Sequence, residues 1–170
     1  MKNIILSLIL FYSINLYSQN QIDREICIPD TKTYALNKVC VFSNSLVARV
    51  SDTFSIDSII FYKVYLNNLY SDFSFSNDNQ GIIYFINESG KRDTLIPDKE
   101  IPNFRLNIPG TTIIISDYHE TLKTPLCEYT DLIAFKLDNY IEYYKKGIGI
   151  VAATASGRLE YYLTEIRYDK

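Results

Sequence analysis

The sequence predicts an all-β protein, mostly antiparallel, built as a single curled sheet, meander or open barrel with few or no helices in the mature chain. Three observations carry this. Residues 158–164 (RLEYYLT) show the two-residue period of a half-buried strand, with Leu159, Tyr161 and Leu163 on one side, and residues 59–66 (IIFYKVYL) set Ile60, Tyr62, Val64 and Leu66 against Ile59, Phe61, Lys63 and Tyr65. Turn signals separate the runs at short spacing. The 15 Tyr and 9 Phe stand beside only 6 Gly, a composition that favours strands, and no amphipathic helix longer than two turns is found.

In chain order, residues 39–42 and 46–50 are candidate early strands split by Ser43-Asn44-Ser45, and residues 51–58 read as a polar joint. Residues 59–66 form a strong strand ended by Asn67-Asn68, and Phe73-Ser74-Phe75 starts a short one. The turn at 77–81 resembles a calcium loop in its Asx density. With Gly81 at the sixth position, however, Asn87 falls at the twelfth, where a bidentate carboxylate is needed, so calcium is rejected. Residues 82–86 and 93–96 flank Asn87-Glu88-Ser89-Gly90, a hairpin signal that is also a glycosylation sequon. Residues 97–109, with Pro97, Pro102 and Pro109, read as an irregular connection or edge segment. Residues 111–116 read as a strand, 117–128 as a polar, turn-rich stretch, and 132–137 as a strand with Ile133, Phe135 and Leu137 on one face.

The most patterned stretch is residues 140–166, two or three adjoining antiparallel strands that close the protein. Ser156-Gly157 supplies the hairpin turn between them. Gly147, Gly149 and Ala152 match the dinucleotide fingerprint G-x-G-x-x-[GA] by letter. That fingerprint needs a helix after the glycines and an acidic residue about 20 positions on. Ser156-Gly157 interrupts the first, and the second belongs within a βαβ unit for which a chain ending at Lys170 has no room, so the glycines are expected at a strand bend or bulge where another backbone comes close.

The start of the chain reads as a signal peptide over residues 1–18: Lys2, an uncharged apolar run over 4–16, and a small residue, Ser18, before the cut, with Gln19 the next candidate site. The run falls short of the roughly 20 residues that span a bilayer. The expected product is one antiparallel β domain over 19–170, exported to the periplasm, the outer-membrane surface or the medium, and not membrane-spanning after signal removal. Its 16 basic and 20 acidic residues give a net charge of −4, which favours neither nucleic acid nor an anionic membrane surface. A chain of this size buries roughly 68–70% of its unfolded surface and needs no metal to hold a core.

Export permits disulfides among Cys27, Cys40 and Cys127. A short Cys27–Cys40 loop is the expected bridge with Cys127 the spare, and the alternative is three small apolar side chains. His119 is the only histidine. With Asp117 and Glu120 it makes a weak metal set, and with Cys127 a thiol–imidazole pair of the cysteine-hydrolase kind. No G-x-S-x-G surrounds any serine. Tyr140, Tyr143, Tyr144, Tyr161 and Tyr162 are either an aromatic platform or ordinary cross-strand packing. Alternation turns Tyr161 to the core and Tyr162 outward, and Tyr144 and Tyr162 are taken as the surface or ligand contacts. Lys145-Lys146 reads as a solvated turn.

Residues 81–96 (GIIYFINESGKRDTLI), a Cys-containing strand over 127–137 and the hairpin 142–163 (EYYKKGIGIV…SGRLEYYL) resemble a group of uncharacterised small exported Bacteroidota β-sheet proteins. The signal segment, rich in Asn, Ile and Tyr and ending in Ser-Gln, is similar to theirs. The resemblance covers about half the chain. It implies a mostly antiparallel β protein outside the cytoplasm, comparable to periplasmic curled-sheet lipoprotein carriers, and it implies no catalytic residues.

The functional expectation is an exported, non-enzymatic β-sheet protein that binds an apolar small molecule or an envelope protein, with no catalytic, cofactor or metal residues assigned. The alternative is a structural or surface-interaction module with a filled core. A Cys/His or metal hydrolase centred on Cys127 and His119 comes last.

Overall fold

The structure, a computed structural model, describes residues 26–29, 33–67, 69–77, 83–86, 90, 92–108 and 111–170. The expected signal segment, residues 78–81 of the expected turn at 77–81, and Asn87-Glu88-Ser89 of the expected hairpin and sequon lie outside them. Twelve strands follow in order: β1 (Lys38–Phe42), β2 (Val47–Ile56), β3 (Ile59–Leu66), β4 (Leu69–Asn77), β5 (Ile83–Ile86), β6 (Arg92–Ile96), β7 (Arg105–Ile108), β8 (Thr111–Lys123), β9 (Glu128–Leu137), β10 (Tyr140–Lys145), β11 (Gly149–Ala155) and β12 (Arg158–Tyr168).

They form one antiparallel sheet in the order β6-β5-β4-β3-β2-β1-β12-β11-β10-β9-β8-β7. Every neighbouring pair but one is consecutive in sequence. The exception is β1 with β12, where Cys40 faces Ile166 and Phe42 faces Leu163. The first and last strands therefore meet in the middle, and the free edges are β6 and β7, which follow one another in the chain. The sheet is a meander cut open at that one step. The all-β, antiparallel, unclosed architecture expected from the sequence is the one observed.

The curl is held by side chains. Ile96 of β6 packs with Ile115 of β8, Ile133 and Phe135 of β9 and Tyr144 of β10. A second cluster joins Ile26, Cys127, Tyr129, Leu132, Ala134, Tyr143, Val151, Ala152 and Leu163. Leu132 and Ala134 belong to one cluster, Ile133 and Phe135 to the other, so β9 is covered on both faces. A strand covered on both faces reads as a continuous apolar run rather than an alternation, which is why LIAF stands there.

Two segments differ from expectation. The polar joint at 51–58 is strand as far as Ile56, and only Asp57 and Ser58, at φ 50° and 67°, make the turn. Residues 117–123 continue β8 through three register shifts against β9. The segment after Pro97 contains β7, an edge strand, in line with the edge reading of 97–109. Ser156 and Gly157, at φ 49° and 76°, turn β11 into β12 as expected.

Candidate functional site

The site grows from β1. Period-two alternation places Lys38, Cys40 and Phe42 on one face of this central strand. On one side the same face continues through Ala48 and Val50 of β2 to Leu66 and Val64 of β3, because Cys40 pairs with Ala48, Ala48 with Leu66 and Val50 with Val64. On the other side it passes from Leu163 to Tyr161 on β12, then through Ala153 to Glu142 on β10. Together with Thr33, Tyr34, Leu46, Phe75 and Ile148 to Ile150, the residues of this face other than Ala153 and Leu163 line a cavity of about 260 Å³.

Most of the wall is aliphatic or aromatic. Tyr34 stacks on Phe75, ring centres 5.0 Å apart, and Phe42 meets Tyr161 edge-on at 5.3 Å. The polar groups are few and held. Lys38, only 2% exposed, donates from Nζ to the carbonyls of Thr33 (2.9 Å) and Ile148 (3.1 Å). A buried ammonium is tolerable only with such partners. Glu142 accepts from the Tyr161 hydroxyl at 2.9 Å through Oε1. Burial pushes the Glu142 carboxyl above the usual range, against the lowering pull of the Tyr161 and Tyr140 hydroxyls. Burial likewise raises the Cys40 thiol, opposed by Lys38, and raises the Tyr34 and Tyr161 phenols.

The raised Glu142 has a consequence for stability. The folded state holds the proton more tightly than the unfolded state, so stability falls as pH climbs from the ordinary carboxylate pKa through the raised one. Glu142→Gln is therefore expected to raise the melting temperature at pH 7.5, with the difference from wild type closing by pH 4. Scanning calorimetry at the two pH values checks this, and a gap that widens on acidification contradicts it.

One end of the cavity is closed by the turn between β10 and β11. Gly147 and Gly149 hold φ of 84° and 109°, a region that disfavours side chains. The Thr33 hydroxyl accepts from Gly147 N–H (2.9 Å) and from the Tyr144 hydroxyl (3.1 Å). What lies against these glycines is the Thr33 side chain, whose methyl group is 3.7 Å from the place a Cβ on Gly149 would take, and not the close backbone that was expected. A strand, β11, follows them, so the helix that a dinucleotide site requires is absent there.

The sequence-predicted residues fall in several places. Cys27 bonds to Cys127, not to Cys40, and Cys40 is a free thiol on the cavity wall. Spacing favours the local loop, but Cys27 lies against Leu126 in the β8–β9 turn, and the hydroxyl of Tyr129 on β9 donates to the Ile26 carbonyl. The bridge also removes the thiolate that a Cys127–His119 pair would need. His119 is two-thirds exposed, and its ring faces Glu100 at 3.1 Å and Asp131 at 3.7 Å. Among the described residues, no group of three His, Cys, Asp or Glu side chains is placed to hold a metal ion.

Tyr144, taken as a surface contact, is 1% exposed and packs edge-on against Phe135 within the core, off the cavity wall. Tyr162 is half-buried at the margin of the larger cluster and does not line the cavity either. Tyr161, assigned to the core, is the tyrosine of that pair on the wall. Sequence reasoning passed over Thr33, Lys38 and Glu142. The signal for the last two was a charge set inside an otherwise apolar or aromatic strand, KVCVF and YIEYYK.

Comparison with protein-family models, with curated proteins and with solved structures returns no match. Among the described residues, no helix is long and apolar enough to cross a membrane.

Proposed function

We propose that this is an exported, non-enzymatic protein that binds an apolar small molecule in the cavity beneath β1. The observation that carries the reading is the cavity itself: about 260 Å³ of space within an apolar wall, bearing a small number of fixed polar groups. That combination is the usual form of a small-molecule site. A filled-core interaction module would have no use for such a space. Export is supported by the signal-like residues 1–18 and by the Cys27–Cys127 bridge, which suits an oxidising compartment.

Titration with an apolar environment-sensitive dye tests the reading. Saturable one-to-one binding is expected. Ala48→Phe directs a ring into the cavity from the centre of the wall. It should weaken the dye by at least about tenfold, while the melting temperature stays within a few degrees because the ring fills existing space. Unsaturable binding, or binding that Ala48→Phe leaves intact, would overturn the proposal.

A further inference from the structure

The cavity's dimensions and the one carboxylate among its lining residues narrow the ligand class. We infer that the ligand is a neutral single-chain amphiphile whose polar end donates a hydrogen bond to Glu142 while its chain lies along Val50, Val64 and Leu66. The inference rests on the binding reading above.

Size comes first. About 260 Å³ exceeds the roughly 150 Å³ that admits benzene and falls just below the roughly 300 Å³ where drug-sized sites begin. That space suits one chain rather than the several of a phospholipid or an acylated protein. The head group follows from the wall. Glu142 stands on β10, with Tyr161 across the sheet from it, and both line the cavity. A carboxylate offers about four acceptor positions, and the Tyr161 hydroxyl takes one at 2.9 Å while that of Tyr140 also reaches the group. Acceptor capacity remains on the cavity side, so an entering donor gains a charge-assisted bond that an ether cannot make.

Neutrality follows from desolvation. A cation brought to Glu142 would lose its hydration against a mostly apolar wall, a large cost set against one carboxylate bond, whereas an alcohol loses far less.

Displacement of the bound dye by 1-decanol, by the isosteric nonyl methyl ether and by decylamine tests this on the mature protein. Decanol should displace the dye about tenfold more tightly than the ether. In Glu142→Met the gap should shrink to about twofold or less. Should that variant not fold, Glu142→Gln should still narrow the gap to about threefold, since a neutral acceptor is roughly half as strong. Equal displacement by alcohol and ether, or a gap that survives both substitutions, overturns the inference. So does tighter binding of decylamine than of decanol. These results leave the cavity reading standing if the dye itself binds and Ala48→Phe expels it; loss of that primary binding removes both.

Discussion

Breaking the Cys27–Cys127 bridge is expected to lower the free energy of unfolding by about 4–5 kcal/mol, the value that loop-closure entropy gives for a loop near 100 residues. The two cysteines are 100 positions apart, so the bridge constrains most of the unfolded chain. It also pins the N-terminal segment to the sheet. Ile26, 1% exposed, is seated in the larger cluster with Cys127 and Tyr129. Urea unfolding of wild type, of Cys27→Ser with Cys127→Ala, and of Cys40→Ser separates the contributions. The double variant should lose the full amount, and Cys40→Ser should stay within about 1 kcal/mol of wild type, as a near-isosteric change at a partly exposed site. A loss below about 1 kcal/mol in the double variant would show that the unfolded chain is constrained in some other way.

Thr33→Val is expected to cost about 2–4 kcal/mol, although it changes the shape of the side chain very little. Thr33 is 8% exposed, and its hydroxyl is the shared acceptor for the Tyr144 hydroxyl and the Gly147 amide. Valine leaves the buried Tyr144 hydroxyl without that partner, at roughly 1–3 kcal/mol, and the half-buried Gly147 amide as well, at about 1 kcal/mol. Tyr144→Phe removes one donor together with its need and should cost about 1 kcal/mol. The pair should therefore couple: Thr33→Val should hurt less in the Tyr144→Phe background by about 1 kcal/mol. Additive losses would mean that the tyrosine hydroxyl has no stake in Thr33. Because Thr33 also presents its carbonyl to Lys38, the variant should loosen the β10–β11 turn and the closed end of the cavity together.

The β class was legible because the strands that frame the core announce themselves. The run at 59–66 and the Ser156-Gly157 turn needed nothing beyond local pattern. What escaped were strands whose ladder is satisfied but whose side chains gain little from burial. Asp52, Thr53 and Ser55 of β2 are exposed yet pair with β3, and their polarity mimics a loop. In β8, register shifts after Ile115 break the two-residue period on which strand recognition depends. The meeting of β1 with β12 is a contact between the two ends of the chain, which no local pattern encodes.

The site was less legible than the fold for a related reason. Lys38 looks like an ordinary strand-end lysine until the carbonyls of Thr33 and Ile148 are brought to it, one from 110 positions away. Sequence pattern points to Tyr144 and Tyr162 as surface or ligand contacts. Which face of β10 is outward depends on Thr33 and Phe135 packing against Tyr144, and that was invisible before the sheet curled. The disulfide followed the same pattern, since spacing favoured the local partner and the tertiary path chose the distant one.

Native mass spectrometry of the mature protein, purified gently from its own host without reduction, tests the central claim most directly. The account predicts a mass surplus of one small apolar molecule that leaves on collisional activation, together with the two-hydrogen deficit of the Cys27–Cys127 bridge. A bare monomer mass that stays bare when a single-chain alcohol is supplied would contradict the claim that the cavity beneath β1 is a ligand site.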